Sequence, residues 1–220
     1  MLMRKVCAVV IACSLWLQLS SFCAAAEPQE ILQKAWVAYN VGHYKETITL
    51  VQPLAEAGNA TAQILLGRCY ESGLGVSQDL EAAVKWYRAA AEQKDSQGQV
   101  LLAYCYEIGI GVPKDPEKTV ALMTAAAEAG NAEAQFNIAL YYSKGLYGTK
   151  RDFKQSFAWA EKSAKQGYGQ AERYLGACYE YGAGVEQNAA LAKEWYTKAR
   201  AKGLEPEGNV FKTVHSRSYN

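Results

Sequence analysis

Hydrophobic and polar positions along this chain follow a pattern that returns about every 36 residues. The pattern occupies residues 59–94, 95–130, 131–167 and 168–203, with one extra residue in the third segment. In each segment an aliphatic residue precedes a small one, at Leu66–Gly67, Leu102–Ala103, Ile138–Ala139 and Leu175–Gly176. A tyrosine and a glycine follow at fixed distances, at Tyr70 and Gly73, Tyr106 and Gly109, Tyr142 and Gly145, and Tyr179 and Gly182. A fixed period of 20 to 50 residues indicates an array of stacked structural repeats.

Each segment predicts two helices joined by a glycine-bearing loop. In the first segment, apolar residues recur at the spacing of one helix face, at Ala62, Leu65, Leu66, Cys69 and Tyr70. The glycine after this helix suits a left-handed C-terminal residue. Burying one large side chain stabilises a fold by roughly 1.5–3 kcal/mol. The recurring aliphatic and aromatic positions are therefore predicted to form the core.

Short polar residues stand where helix N-caps are needed. Asn59, Asp95 and Asn131 precede the first helix of their segments, whereas Tyr168 holds that position in the last one. Asn and Asp side chains accept a hydrogen bond from a backbone N–H that lacks a partner. The second helices begin after Asp79, Asp115, Asp152 and Asn188. We expect four capped helix pairs, with a less sharply defined start at Tyr168.

The repeated unit resembles the Sel1-like repeat (SLR) family, a subclass of tetratricopeptide-type (TPR) helical repeats. The resemblance rests on the pattern A-x-Q-x-x-L-G-x-x-Y-x-x-G-x-G-V-x-x-D-x-x-x-A-x-x-W-Y-x-x-A-A and covers residues 59–203. It implies an all-α fold, a right-handed superhelical solenoid of antiparallel helix pairs. Residues 27–58 contain a more ordinary TPR-like turn around His43 and are predicted to form a divergent N-terminal pair.

Two segments depart from the repeat pattern. Tyr147 stands where the second loop glycine belongs, with Gly148 one residue later. Leu122 and Met123 stand where the first and last segments carry the Trp–Tyr pairs Trp86–Tyr87 and Trp195–Tyr196. We interpret both departures as local variation of loop and core.

The N-terminus has the organisation of a secretory signal peptide. Arg4 and Lys5 precede an apolar run over residues 6–19, and the segment ends in Ala24-Ala25-Ala26. A basic start, an apolar stretch of this length and an Ala-x-Ala site predict cleavage after Ala26. A lipoprotein signal ending at Cys13 and an uncleaved anchor are alternatives. The prediction is export to the periplasm or the medium, without a stable membrane span after cleavage.

Charge argues against nucleic acid as a partner. Removing residues 1–26 takes Arg4 and Lys5 away, leaving 21 Lys and Arg against 22 Asp and Glu, a formal charge of −1. A protein that binds nucleic acid through phosphate contacts needs a strongly basic surface. The sequence supplies none.

Three cysteines follow the predicted signal peptide: Cys69, Cys105 and Cys178, each directly before the repeat tyrosine. Equivalent positions on packed helices lie about 8–10 Å apart, whereas a disulfide needs Cα atoms within roughly 7 Å. We therefore expect buried free thiols, although some relatives of the resembled family have disulfides in their helix pairs.

No motif indicates catalysis, a cofactor or a metal site. After residue 26 the chain has only two histidines, His43 and His215, and neither has an evident nucleophile nearby in sequence. Gly-x-Gly pairs such as Gly73 and Gly75 follow predicted helices, whereas phosphate-binding loops follow strands. The sequence predicts that this protein is not an enzyme.

The resemblance implies that protein or peptide partners bind a concave face formed by the first helices. The positions carried over are Arg68, Glu71, Tyr104, Glu107, Phe136, Lys144, Arg173 and Glu180. Aromatic residues and arginines of this kind are enriched at interface hot spots. Alternatively, Phe136 packs between neighbouring repeats.

After the last repeat, residues 204–220 form a mainly polar tail. It contains Val210, Phe211 and Val214, which we expect to fold back over the end of the array near Leu191 and Trp195. Terminal repeats need such a cap because nothing else covers their outer face. The alternative is a free tail, which leaves the edge exposed for self-association or for a partner.

The leading hypothesis is an exported bacterial interaction scaffold that binds partner proteins. Two alternatives are a self-assembling envelope protein and a relative that binds or hydrolyses penicillin. The sequence lacks the Ser-x-x-Lys motif that penicillin chemistry uses, which disfavours the last alternative.

Overall fold

The computed structural model describes residues 28–206, 208 and 211, and these residues form helices without strands. The predicted signal peptide, Val210 and Val214 lie outside the described residues. The helices are α1 (28–40), α2 (Tyr44–Glu56), α3 (Ala60–Ser72), α4 (Leu80–Glu92), α5 (Ser96–Ile108), α6 (Pro116–Glu128), α7 (Ala132–Lys144), α8 (Phe153–Lys165), α9 (Gly169–Tyr181) and α10 (Ala189–Arg200). The predicted all-α class is confirmed.

The chain divides into two compact units, with the boundary between Trp86 and Tyr87 inside α4. In the first unit, α2 packs against α3. Its core is formed by Ala35, Val51, Ala55, Ala62, Leu65 and Leu66. In the second unit, each helix from α5 to α10 packs against the next along the chain. No helix among the described residues is both long and apolar enough to span a bilayer.

The first helix of each repeat starts and ends as the polar caps and glycines predict. The Asn59 side chain accepts a hydrogen bond from the Ala62 N–H, and Asn131 does the same for Ala134. Tyr168 makes no side-chain cap bond, which confirms the expected exception. Gly73, Gly109, Gly145 and Gly182 end these helices in the left-handed conformation.

The second helices are capped at Asp79, Asp115, Asp152 and Asn188, where each side chain accepts from a backbone N–H two or three residues later. A residue with positive φ follows each of these helices. Glycine fills that place at Gly130, Gly167 and Gly203, whereas Lys94 (φ +63°) fills it after α4. A non-glycine residue is strained in this region of backbone space.

Two loop glycines permit close backbone packing. A Cβ on Gly75 would lie 2.7 Å from the backbone of Tyr44, and one on Gly184 would overlap the backbone of Phe153. Tyr147 occupies the loop position equivalent to Gly75 and Gly184 and makes a different contact. Tyr147 takes a positive φ of +52°, and its ring packs edge-on against Tyr141 with centroids 4.9 Å apart. In the repeat of residues 131–167, an aromatic contact therefore replaces the close backbone contact that the loop glycine makes at Gly75 and Gly184.

The apolar clusters of the second unit include two that are built from predicted core positions between α5 and α9. Met123 stands at the position that Tyr87 and Tyr196 occupy in other repeats. It is completely buried with Val100 and Ala103 in the cluster between α5, α6 and α7. A second cluster joins α7, α8 and α9 around Ala139 and Leu175. Substituting methionine for tyrosine thus keeps the position apolar and filled.

As predicted, Cys69, Cys105 and Cys178 are buried and form no disulfide bond. Burial raises the pKa of Cys69 to about 11 and raises that of Cys178 further. A buried thiol with a raised pKa carries little thiolate at neutral pH and is chemically inert. Cys69, Cys105 and Cys178 thus serve as small core residues.

Candidate functional site

In the first unit, the predicted partner-binding residues Arg68 and Glu71 lie on α3. Arg68 is half-buried, and its buried Nε has no hydrogen-bond partner among the described residues. Its charge acts on Tyr39 of α1, where burial, opposed by the Arg68 cation, raises the pKa of the phenol. Tyr39 in turn packs edge-on against Tyr44, with centroids 5.6 Å apart. This unit therefore presents an arginine beside an aromatic group.

In the second unit, Tyr104 of α5 is held by two residues of α7. Its hydroxyl donates to Glu133 Oε1 at 2.9 Å and accepts from Asn137 Nδ2 at 2.8 Å. Burial and the Glu133 carboxylate raise the pKa of Tyr104 well above its usual range. The phenol stays neutral and fixed in orientation, so the ring is a pre-organised element of the surface.

Glu107, one turn further along α5, is linked to the unusual loop. Tyr147 donates a hydrogen bond to Glu107 Oε1 at 2.6 Å. Burial, with the carboxylate nearby, raises the pKa of Tyr147 to about 12. The buried hydroxyl of Tyr141 lies next to this pair without a hydrogen-bond partner in the described part of the chain. The loop after α7 thus covers one end of the α5 surface.

The structure distributes the remaining predicted residues between core and surface. Phe136 is only 6% exposed and packs against Tyr168 and Tyr174, so it lies in the core and not on an accessible face. Lys144 is exposed in the last turn of α7, and Arg173 is half-buried with interaction partners. Glu180 is exposed and accepts a hydrogen bond from the Tyr196 hydroxyl at 2.6 Å.

We call the exposed and partly exposed residues of α5 and α7 the α5–α7 surface, and they are Tyr104, Glu107, Ile108, Asn137 and Lys144. Ile108 adds an apolar element because it is 55% exposed. Sequence reasoning missed Asn137 and Glu133 as its polar supports. A signal was present for one of them: Asn137 stands where the other repeats carry Leu65, Leu101 and Tyr174. A polar residue at an otherwise apolar repeat position indicates a special contact.

The described residues contain no group of three or more His, Cys, Asp or Glu side chains arranged to hold a metal ion. The raised pKa values of the tyrosines result chiefly from burial and keep these side chains neutral at physiological pH. The geometry provides apolar contact, hydrogen bonds and a few charges, the components of a protein interface.

The chain has the features of a helical-repeat protein. The Sel1 repeat family model matches four consecutive segments, residues 60–95, 96–131, 132–168 and 169–204. The chain belongs to the Sel1 repeat family. These segments begin one residue after those derived from the hydrophobic pattern.

Solved structures of the same family share the fold. A Sel1 repeat protein from Oxalobacter formigenes is 31% identical, with a TM-score of 0.74 over 80% of this chain and 74% of that chain. A protective antigen of uropathogenic Escherichia coli strains that displays an SLR fold is also 31% identical, with a TM-score of 0.70. That match covers 84% of this chain and 40% of the antigen. The predicted solenoid class is thereby supported by relatives of known structure.

A curated relative comes from a eukaryote. Chitin synthase regulatory factor 3 of Schizosaccharomyces pombe is 29% identical over 177 residues. The match covers 77% of this chain and 15% of that protein. This chain therefore corresponds to a small part of the larger regulator's length.

Proposed function

We propose that this chain is an exported, non-catalytic scaffold that binds partner proteins or peptides on the first helices of its repeats. Sel1 repeats generally mediate protein–protein interactions, and the four matched segments place the chain in that family. The observation that carries the proposal is the fixed phenol of Tyr104 beside the exposed Ile108. A rigid aromatic group next to an exposed aliphatic one favours binding, because little side-chain freedom is lost on association.

The chemistry of this surface suggests the kind of partner. The α5–α7 surface combines apolar area from Ile108 with the Lys144 ammonium and the Glu107 carboxylate. Such a mixture suits a polypeptide with one apolar anchor and flanking polar groups. The absence of a basic field in the sequence disfavours nucleic acid.

A capture experiment tests the site. The tagged mature chain and an Ile108→Glu/Lys144→Glu variant would be used to capture proteins from a bacterial envelope extract. Leu80→Glu/Lys154→Glu is a matched control, since it changes one exposed aliphatic residue and one exposed lysine on second helices. Circular dichroism should show equal helix content for all three proteins.

Loss of a partner from the α5–α7 variant alone would support the proposed surface. Capture of the same partner by all three proteins would contradict the proposed site, and binding elsewhere would have to be considered. If none of them captured a partner, concentration-dependent sedimentation would test self-association as the alternative function.

Export rests on the pattern of residues 1–26 and has its own test. Expression of the full-length gene in a Gram-negative host should yield a periplasmic or secreted protein whose intact mass corresponds to a start at Glu27. A mass that retains residues 1–26, or a lipid-modified cysteine, would replace this proposal with an anchored protein.

A further inference from the structure

Phe211 lies in a group of three aromatic rings at the end of the repeats. Its ring centroid is 5.4 Å from that of Tyr174, 5.7 Å from Phe153 and 6.3 Å from Tyr181. The interplanar angles of 71° to 87° are those of edge-to-face contacts, which aromatic pairs prefer. We call Phe153, Tyr174 and Tyr181 the aromatic cup.

The cup is held in place by the repeat itself. Tyr174 is buried, and its hydroxyl lies 2.7 Å from Ser156 Oγ on α8. Phe153 is the first residue of α8 and carries the Arg151 guanidinium 4.6 Å above its ring centroid. Tyr181 is the last residue of α9, directly before the left-handed Gly182. The rings of Tyr174 and Phe153 thus have contacts within the repeat that do not involve Phe211.

The repeat pattern does not require this cup. Residues equivalent to Tyr174 are Leu65, Leu101 and Asn137, and those equivalent to Tyr181 are Ser72, Ile108 and Lys144. The last repeat therefore carries two aromatic rings at places where the others carry none. Extra aromatic rings around a partly exposed side chain are typical of a binding pocket, since Tyr and Trp are enriched at interface hot spots.

Phe211 belongs to the same chain but not to the repeats, since it lies seven residues beyond Leu204. It is only partly buried in the cup. A side chain tethered this closely acts as an intramolecular ligand with an effective concentration on the order of millimolar. Its presence also shows which chemistry the cup accepts, namely one phenyl ring.

We propose that the aromatic cup is a docking site for a phenylalanine side chain of a partner polypeptide, and that Phe211 occupies it until such a partner displaces it. The inference rests on the proposed scaffold function. It gives the chain a second binding site, separate from the α5–α7 surface and occupied by the chain's own Phe211. Because Phe211 competes in the same molecule, the partner binds more weakly to the intact chain than to a chain lacking that ring.

Fluorescence anisotropy with a labelled peptide of residues 205–220 tests the proposal. The same peptide with alanine at position 211 is the control probe. Both would be titrated with the mature chain, with Phe211→Ala, and with Phe211→Ala/Tyr181→Ala. We expect Phe211→Ala to bind the phenylalanine peptide at least about tenfold more tightly than the intact chain, because the intramolecular competitor is gone. Neither the alanine peptide nor the double variant should show this binding.

Three results would overturn the proposal. A folded Phe211→Ala protein that does not bind the peptide would make Phe211 a structural cap only. Equal affinity for the intact chain and Phe211→Ala would show that Phe211 does not compete. A dimer of the intact chain that dissociates in Phe211→Ala, measured by sedimentation, would identify a second copy's tail as the occupant.

Folding defects and failure of the scaffold function can be recognised separately. If Phe211→Ala loses its thermal transition, titration of the intact chain to saturation with both peptides still tests the cup, because excess peptide must displace Phe211. Capture of a partner that depends on Ile108 and Lys144, without peptide binding at the cup, would leave the scaffold function standing. Peptide binding at the cup without partner capture would support the aromatic cup and contradict the proposed α5–α7 binding surface.

Discussion

Lys202 donates a hydrogen bond to Glu172 Oε1 at 2.6 Å and forms an ion pair with this carboxylate. The Glu172 side chain is only 5% exposed. The other oxygen, Oε2, is buried without a partner among the described residues. Equivalent positions in the earlier repeats carry Gln63, Gln99 and Gln135. The amides of Gln63 and Gln135 donate to backbone carbonyls eight residues earlier, at 3.1 Å. A carboxylate has no N–H to donate, so the last repeat uses the lysine instead.

Replacing Lys202 by methionine should therefore lower the free energy of unfolding by about 1–3 kcal/mol, because it leaves a buried charge without its partner. In a Glu172→Gln background the same replacement should cost much less, since glutamine restores the group found in the other repeats. Denaturant unfolding of the four proteins measures the difference. Lys165→Met, which removes the exposed pair with Glu161, is the control and should change stability by less than about 1 kcal/mol.

Equal losses from Lys202→Met in both backgrounds would contradict this coupling. Such a result would mean that the lysine stabilises the end of the chain chiefly through its second bond, to the Gly167 carbonyl at 2.6 Å.

Lys94 offers a stabilising substitution. It holds a left-handed conformation at the place where the other second helices are followed by Gly130, Gly167 and Gly203. Glycine adopts that conformation without the Cβ penalty. Lys94→Gly should raise the free energy of unfolding by about 0.5–1 kcal/mol in a denaturant titration. Lys85→Gly, an exposed lysine inside α4, should lower it by about 1 kcal/mol.

Lys94→Gly and Lys85→Gly are expected to change the free energy of unfolding in opposite directions, so comparing them tests the strain at Lys94. If both lysine-to-glycine changes were destabilising by similar amounts, the strain assigned to Lys94 would be absent, and the greater freedom of glycine in the unfolded chain would dominate.

Gly176 shows why a small residue follows the repeat leucine. A Cβ at this position would lie 2.5 Å from the ring of Tyr196 on α10. Gly176→Ala should therefore force the tyrosine ring or the helices apart and lower the free energy of unfolding by about 1–3 kcal/mol. Gly208→Ala is the matched control, since nothing lies within 4 Å of its added Cβ. Thermal melts of both variants would show whether close helix packing sets the size of this residue.

If Gly176→Ala melted like the intact chain, the α9–α10 contact would be able to relax at little cost. The Tyr196–Glu180 hydrogen bond at 2.6 Å provides a second check, because displacement of the ring should break it.

The repeat pattern was enough to predict the helices, because caps and glycines act locally. Asn59, Asn131 and Gly73 have the predicted roles because each satisfies backbone groups within a few residues of itself. The same alignment indicated that Phe136 belongs to the core, since Ile64 and Val100 occupy the equivalent position and are buried in the structure. The fourth residue at this position, Arg173, is half-buried, so the position buries an apolar side chain such as that of Phe136 more fully than a charged one.

The polar contacts of the site could not be predicted in this way. Tyr104 bonds to residues 29 and 33 positions further along the chain, and this pairing depends on how α5 and α7 pack. Phe211 lies in a tail that has no counterpart within the repeats. Specific side-chain pairings between helices need the packed structure, whereas the repeat identifies only which face a residue occupies.

The buried thiol of Cys69 predicts a loss of stability in alkaline solution. Burial raises its pKa from an ordinary value near 9 to about 11 in the folded chain. The unfolded chain therefore releases this proton first as the pH rises, and the folded state loses stability between pH 9 and pH 11. Below pH 9 the contribution is fully present. A change of two units corresponds to about 2–3 kcal/mol.

Denaturant unfolding under reducing conditions at several pH values from 8 to 11 would measure this effect for the intact chain and for Cys69→Ala. The stability advantage of the intact chain over the variant should shrink across that range, because alanine has no proton to lose. Tyrosines with raised pKa values, such as Tyr147, are present in both proteins, so their contributions cancel. Parallel curves would show that Cys69 is accessible to solvent in the native state, and rapid reaction with a thiol reagent at pH 8 should then accompany them.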